Sequence, residues 1–334
     1  MNTNLLQWKY ISYFDLVHDI KKNLHKVHYG NYDLIVGVPR SGMVPAYMIA
    51  LYLNLHITDL NGFINNLPLE KGQRKLKRTL NKPHDAKKVL LVDDTIATGY
   101  QMEANLQKLS PRLKKVTTTC AVYASNPYQN VDIYLKLNGV RRLFEWNLFH
   151  RDILNKACVD IDGVLCAEPS LEQDDDGDKY MDFILNAKPL MIPSYKIHSL
   201  VTSRLERYRS QTEAWLRQWN IEYDNLIMLN LQNKIDRYKN GDKALDHKAN
   251  YFSSLTDLEI FIESDMDVSL HVMKKTGKPV LCIDENILIS PNTLNRIKNN
   301  PGNFYRIIRP IFIRIIPNPL KAFLKQLIKK FKIS

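Results

Sequence analysis

The sequence predicts an α/β protein of two successive domains, each built around a parallel sheet, and two short runs carry most of that expectation. Val89-Leu90-Leu91-Val92 is followed at once by Asp93-Asp94, and Ala157-Cys158-Val159 by Asp160-Ile161-Asp162-Gly163. Uninterrupted apolar runs of this length suit strands buried on both faces, as in a parallel sheet. Carboxylates directly after them fall where open α/β sheets bind ligands, at the carboxyl ends of the strands. The third observation is size: 334 residues are long for one hydrophobic core and suit two domains.

Ser12 and Asp15 have capping-box spacing and predict a helix through Lys26, with Phe14, Leu16, Val17, Ile20, Leu24 and Val27 near helical spacing. Residues 32–38, YDLIVGV, read as a strand, Pro39-Arg40-Ser41-Gly42 as a turn, and residues 43–53 as a helix. Strand, glycine-containing turn and helix form the first half of a βαβ unit. Between Asn61 and Lys88 the chain becomes polar and basic, which in a compact α/β domain predicts a functional flap. A helix is expected at 101–109 and strands at 116–123 and 131–137. The segment 145–154, EWNLFHRDIL, is the expected boundary, after which the α/β pattern restarts. This gives domains at 1–148 and 149–290 and a tail at 291–334.

Hydrophobic content of 45% and charged content of 25% describe a globular chain. Cys120, Cys158, Cys166 and Cys282 form no C-x-x-C pair, so neither a zinc site nor a disulfide framework is expected, and a cytoplasmic location is. Met1 to Lys9 lacks the pattern of a signal peptide. No apolar run approaches the ~18 residues that span a bilayer. The net charge of +12 is concentrated at one end: ten Lys and Arg and no Asp or Glu follow Glu285. That localisation predicts an anionic partner surface for the tail alone.

The loop after the Val89 run has its own chemical logic. Thr95, Thr98, Gly99 and the neighbouring amides can wrap a phosphate, because successive N–H groups form an anion nest. Asp93 and Asp94 can accept hydrogen bonds from vicinal hydroxyls and approach Mg²⁺. Phosphate, diol and metal together describe a phosphorylated ribose. The run KVLLVDDTIATG closely resembles the phosphoribosyl-pyrophosphate (PRPP) motif of type I phosphoribosyltransferases. The resemblance implies PRPP contacts from Pro39, Arg40, Ser41 and Gly42 in a pyrophosphate loop, and from Asp93, Asp94, Thr95, Ala97, Thr98 and Gly99. It counts Asp94 among the catalytic residues and Mg²⁺ as cofactor. The basic segment before the strand resembles the mobile catalytic loop of orotate-type members, with Arg74, Lys75 and Lys77 as candidate cations.

Asp160-Ile161-Asp162-Gly163-Val164-Leu165 resembles the first motif of haloacid dehalogenase (HAD) superfamily phosphatases. That resemblance implies Asp160 as nucleophile and Asp162 as general acid and base, through an aspartyl-phosphate. It further implies Thr202 as phosphoryl ligand and Lys248 as the neutralising cation. A metal would be held by Asp160, Asp162, Glu263 and Asp265, although Glu263, Asp265 and Asp267 depart from the usual spacing of the last motif. A Rossmannoid sheet with a small cap insertion, around the acidic cluster 172–178, is the implied fold.

Leu320, Phe323, Leu324, Leu327, Ile328 and Phe331 recur at helical spacing, with Lys321, Lys325, Lys329 and Lys332 on other faces. Such a helix suits the interface of an anionic membrane better than nucleic acid, which is not an expected partner. Together the two resemblances imply transfer of 5-phosphoribose from PRPP, then loss of its 5-phosphate. The pairing resembles bacterial enzymes of surface-polysaccharide assembly, which implies a lipid-linked glycan acceptor and peripheral attachment to the inner face of the cytoplasmic membrane. A homodimer is left open. Two alternatives also stay open: a nucleobase phosphoribosyltransferase fused to a nucleotidase, and a PRPP-sensing regulator.

Overall fold

Between Trp146 and Asn147 the chain divides into two units. The structure, a computed structural model, describes residues 8–28, 30–70, 72–73, 75–76, 78–127, 130–231 and 242–291. The basic tail from residue 292 onward therefore lies outside the described residues, as do Arg74 and Lys77. Among the described residues no helix is long and apolar enough to cross a membrane.

The first unit contains strands β1 (Lys9–Ile11), β2 (Leu34–Gly37), β3 (His56–Asp59), β4 (Val89–Ile96), β5 (Thr117–Ala124), β6 (Ile133–Leu137) and β7 (Arg142–Phe144). Five of them form a wholly parallel sheet in the order β3-β2-β4-β5-β6. Side chains alternate across it: Ile35, Leu90 and Val92 pack with Leu16, Ile20 and Ile49, while Leu34, Val36, Val89 and Leu91 pack with Phe63 and Met102. Covering both faces is what makes the strands read as unbroken apolar runs. The chain steps from β2 outward to β3, then returns to the other side of β2 for β4, so the connections reverse direction between β2 and β4. Such a reversal opens a crevice at the carboxyl ends of the two strands.

The Ser12 capping box forms, with Ser12 Oγ accepting from the Asp15 amide. The helix it starts covers Tyr13–Asn23 and is separated at Leu24 from a second short helix, His25–His28, where one continuous helix to Lys26 was expected. β4 runs four residues beyond the apolar stretch, carrying Asp93 and Thr95 into register with Ala121 and Tyr123 of β5. A separate two-stranded parallel pair, β1 with β7, has no counterpart in the sequence reading.

The second unit contains β8 (Ala157–Val159), β9 (Ile197–Leu205), β10 (Tyr223–Leu229), β11 (Ile260–Glu263), β12 (Val280–Cys282) and β13 (Ile287–Ile289). They form one mixed sheet in the order β10-β9-β8-β11-β12-β13, parallel except for the final antiparallel pair. Its connections reverse between β8 and β11, directly after which lie Asp160 and, at the end of β11, Glu263.

Candidate active sites

In the first unit, β2 delivers the turn Pro39-Arg40-Ser41-Gly42 to the crevice and β4 delivers Asp93 and Asp94 beside it. The two are joined by the bond from the Val38 amide to the Val92 carbonyl, 2.9 Å. The Pro39–Arg40 peptide is cis. Gly42 is needed by space: a Cβ there would lie 2.6 Å from the Val38 carbonyl oxygen and 2.7 Å from Asp93 Oδ1. Its absence lets the turn lie directly on the acid pair. Ser41 Oγ donates to Asp94 Oδ1 at 3.0 Å, and the Asp94 amide donates to Asp93 Oδ1 at 2.9 Å.

Both carboxylates are buried, Asp93 at 8% and Asp94 at 3% exposure. Burial, reinforced by the neighbouring Asp94 charge, pushes the Asp93 carboxyl up to about 8. Among the described residues neither acid meets a lysine or arginine. An oxygen-only pair of buried acids lacking a cation is a donor set that fits a hard divalent ion such as Mg²⁺. Beyond the acids, Thr95 lies near the end of β4, Ala97 and Thr98 form the short loop that follows, and Gly99 takes φ +83 and opens the helix Tyr100–Gln107. Thr95 Oγ1 is buried without a hydrogen-bond partner.

The basic segment is tied down at both ends. Leu69 and Leu80 are buried in the core, the Leu69 amide donates to the Asn81 carbonyl at 3.1 Å, and the Leu80 amide to His56 Nε2 at 3.1 Å. Of the three candidate cations only Lys75 is described: it is exposed, and its carbonyl accepts from Asn54 Nδ2 at 3.1 Å. Arg78 is paired with Asp33, which precedes β2 and so lies at the amino end of the sheet, away from the crevice.

One contributor was not identified in the sequence. Trp146 Nε1 donates to Asp94 Oδ2 at 2.7 Å. The indole packs on Phe144 at 4.8 Å and Tyr13 at 5.4 Å between ring centroids. The sequence reading placed Trp146 in a connecting segment.

In the second unit, Lys248 reaches across the switch point from the helix Asp242–Ser254. Its ammonium donates to Asp160 Oδ2 at 2.5 Å and to Glu263 Oε2 at 2.8 Å. All three residues are buried, with exposures of 6%, 3% and 1% for Asp160, Lys248 and Glu263. Two acids share one cation, so burial and the Glu263 charge push the Asp160 carboxyl up to about 8 against the pull of Lys248. Lys248 is pushed upward, because the two carboxylates outweigh its desolvation. Gly163 adopts φ +75, and a Cβ there would lie 2.4 Å from Ser264 Oγ, so the turn after Asp160 is packed against the end of β11. Thr202 is buried and follows by two residues the Leu200 that pairs with Val159.

The four acids expected to hold a metal are not assembled as one set. Asp162 is held by the fully buried Arg204, whose Nη2 donates to Oδ1 at 2.6 Å and Nε to Oδ2 at 3.0 Å. Asp265 caps the helix Met266–Thr276, accepting from the Asp267 and Val268 amides at 2.7 and 2.9 Å. Lys248 occupies the position between Asp160 and Glu263 where a cation's charge would act. Among the described residues no three His, Cys, Asp or Glu side chains form a metal-holding group. Arg204 is the partner that the motif resemblance did not assign.

Residues 8–154 match the family model of the phosphoribosyl transferase domain. Part of the chain is similar to a purine phosphoribosyltransferase from Pyrococcus horikoshii Ot3, at 19% identity and TM-score 0.30 over 41% of this chain and 92% of that one. It is similar to the xanthine-guanine-hypoxanthine phosphoribosyltransferase of Helicobacter pylori, at 18% identity and TM-score 0.33 over 42% and 93% of the two chains. A hypothetical protein from Neisseria gonorrhoeae with bound ppGpp is similar at 15% identity and TM-score 0.30, over 42% and 90%. No curated protein matches the chain. The likeness to a phosphoribosyl transferase domain therefore lies in residues 8–154, less than half of the chain.

Proposed function

We propose that the first unit transfers the 5-phosphoribosyl group of PRPP to an acceptor hydroxyl, and that the second then hydrolyses the 5-phosphate to leave ribofuranose. The observation that carries this reading is a pair of reactive-group clusters, each at the switch point of its own sheet: Asp93-Asp94 beside the Ser41 turn, and Asp160-Lys248-Glu263. In the transfer, the bond from ribose C1 to pyrophosphate breaks, the acceptor oxygen bonds to C1, and the acceptor proton leaves. Asp93 and Asp94 hold the ribose hydroxyls, while the amides of the Gly42 turn and Arg40 receive the leaving pyrophosphate. Asp93 and Asp94 would be the residues to hold Mg²⁺, which would supply positive charge for the leaving group.

In the second step an Asp160 carboxylate oxygen attacks phosphorus, the bond from phosphorus to ribose O5 breaks and O5 takes a proton, and water then cleaves the aspartyl-phosphate to release inorganic phosphate and free Asp160. Lys248 balances the charge of nucleophile and phosphoryl group, and Thr202 receives a phosphoryl oxygen. For Asp162 to serve as acid and base, its pair with Arg204 has to open. The strand order β12-β11-β8-β9-β10, with Thr202 on β9, Glu263 at the end of β11 and Asp160 directly after β8, supports the HAD-like reading.

The acceptor we favour is a lipid-linked glycan of surface-polysaccharide assembly, reached through the basic amphipathic tail at the inner membrane face. One observation favours a second acceptor class: the Tyr13–Trp146 pair beside Asp94 offers an aromatic surface to a flat nucleobase. Asp160→Asn should therefore accumulate product one phosphoribosyl unit heavier than the acceptor, whereas wild type adds one ribosyl unit. Mass spectrometry with PRPP and either nucleobases or glycan-lipids identifies both the acceptor and the order. A fully dephosphorylated product from the variant would remove the phosphatase from the second unit.

The tail is tested separately. Six large apolar side chains at ~1.5–3 kcal/mol each when fully buried, with ~1 kcal/mol per lysine near an anionic surface, suffice for attachment even at partial burial. The full chain should co-sediment with anionic liposomes, with salt weakening but not abolishing binding, and a chain ending at Asn318 should stay in solution. Binding by the truncated chain would refute the tail's role.

A further inference from the structure

Both oxygens of the Asp94 carboxylate are held by side chains from outside its own strand. Ser41 Oγ donates to Oδ1 at 3.0 Å, and Trp146 Nε1 donates to Oδ2 at 2.7 Å. An indole N–H is a single donor that points where its ring is fixed. Here the ring is held by two aromatic neighbours. It packs on Phe144 at 4.8 Å and on Tyr13 at 5.4 Å. The pairing of β1 with β7 brings those rings together, setting Ile11 opposite Phe144. The Tyr13 amide, donating to Glu145 Oε2 at 2.7 Å, ties the two segments beyond the strands. Asp94 is 3% exposed, so water does not compete for its orientation.

We propose that Trp146 is a positioning residue for Asp94, its indole N–H fixing the carboxylate in the orientation that receives the ribose hydroxyls of PRPP. The inference rests on the PRPP reading of the first unit. A carboxylate held in advance loses little freedom when ligand hydroxyls arrive, so the contact belongs to PRPP affinity. Because Trp146 bonds the carboxylate assigned to the ribose hydroxyls, PRPP binding is expected to change the indole's surroundings.

The test titrates PRPP with Mg²⁺ into the full chain, read by calorimetry and by tryptophan fluorescence. Trp146→Phe keeps a ring against Phe144 and Tyr13 and removes only the N–H. We expect it to bind PRPP at least about tenfold more weakly and to lose most of the PRPP-dependent fluorescence change, since Trp146 is the indole whose N–H meets Asp94. Trp146→His restores a ring N–H and should recover part of the affinity; it also serves if the Phe variant does not fold. Wild-type binding with W146F within twofold of it, or W146H no better than a well-folded W146F, overturns the positioning role. Absence of PRPP binding by wild type instead overturns the PRPP reading, and this inference with it.

Discussion

Replacing Asp93 and Asp94 together by Asn is expected to reduce Mg²⁺-dependent pyrophosphate release from PRPP by about 10²–10⁴-fold, at two charge-assisted contacts of about 1.5–3 kcal/mol each. The acids stand at the sheet's switch point with the Ser41 turn against them, so few other groups are placed to hold the ribose hydroxyls. Folding should survive. Asn is nearly isosteric, its amide oxygen can still accept from Trp146 or Ser41, and Asp93 loses a charge that burial already disfavours. The second unit is the internal control, because its cluster belongs to a different sheet. Hydrolysis of p-nitrophenyl phosphate should stay within about twofold of wild type. Equal loss of both activities in a folded double variant would refute the division of labour. A variant that still binds PRPP with wild-type affinity by calorimetry would remove the acids from the ribose.

What the sequence displayed and what it hid follow from the range of the interactions. The apolar runs at 89–92 and 157–159 were legible because a strand covered on both faces has one simple composition. The Ser12 cap was legible because it is completed within four residues. Asp265 had an equally local explanation: an Asp directly before a helix ordinarily caps it, yet among neighbouring acids it read as a metal ligand. Leu24 continued the apolar spacing of its helix, so the break there left no mark. Trp146 and Arg204 were hidden for another reason. The first lies 52 residues from Asp94 and the second 42 from Asp162, and only the sheets bring them together. Trp146 sat in a short aperiodic stretch that looked like a connection. Arg204 followed Thr202 as though it were merely the next residue.

Lys248→Met should destabilise the second unit by about 3–5 kcal/mol at neutral pH and abolish its phosphate-ester hydrolysis. Removing one partner of a buried ionic cluster leaves the others without compensation, and here the ammonium serves two carboxylates, at 2.5 and 2.8 Å. Methionine matches the length of the lysine stem, so lost packing contributes little. The sign of the pH dependence follows from Asp160, whose carboxyl moves from 3.8 up to about 8 in the folded chain. A carboxyl raised on folding makes the folded state bind more protons than the unfolded one. Its penalty is absent below 3.8 and complete above about 8, so wild-type stability from this group falls as pH rises through that interval. Without Lys248 the Asp160 carboxyl loses the charge that lowers it and is pushed up further, so the fall extends to higher pH. Urea denaturation followed between pH 4.5 and 8.5 should show the variant closest to wild type at the acidic end and furthest from it at the alkaline end. A deficit independent of pH would mean that Lys248 acts through packing. A variant as stable as wild type throughout would mean that the Asp160–Lys248–Glu263 cluster is not buried and charged together in solution.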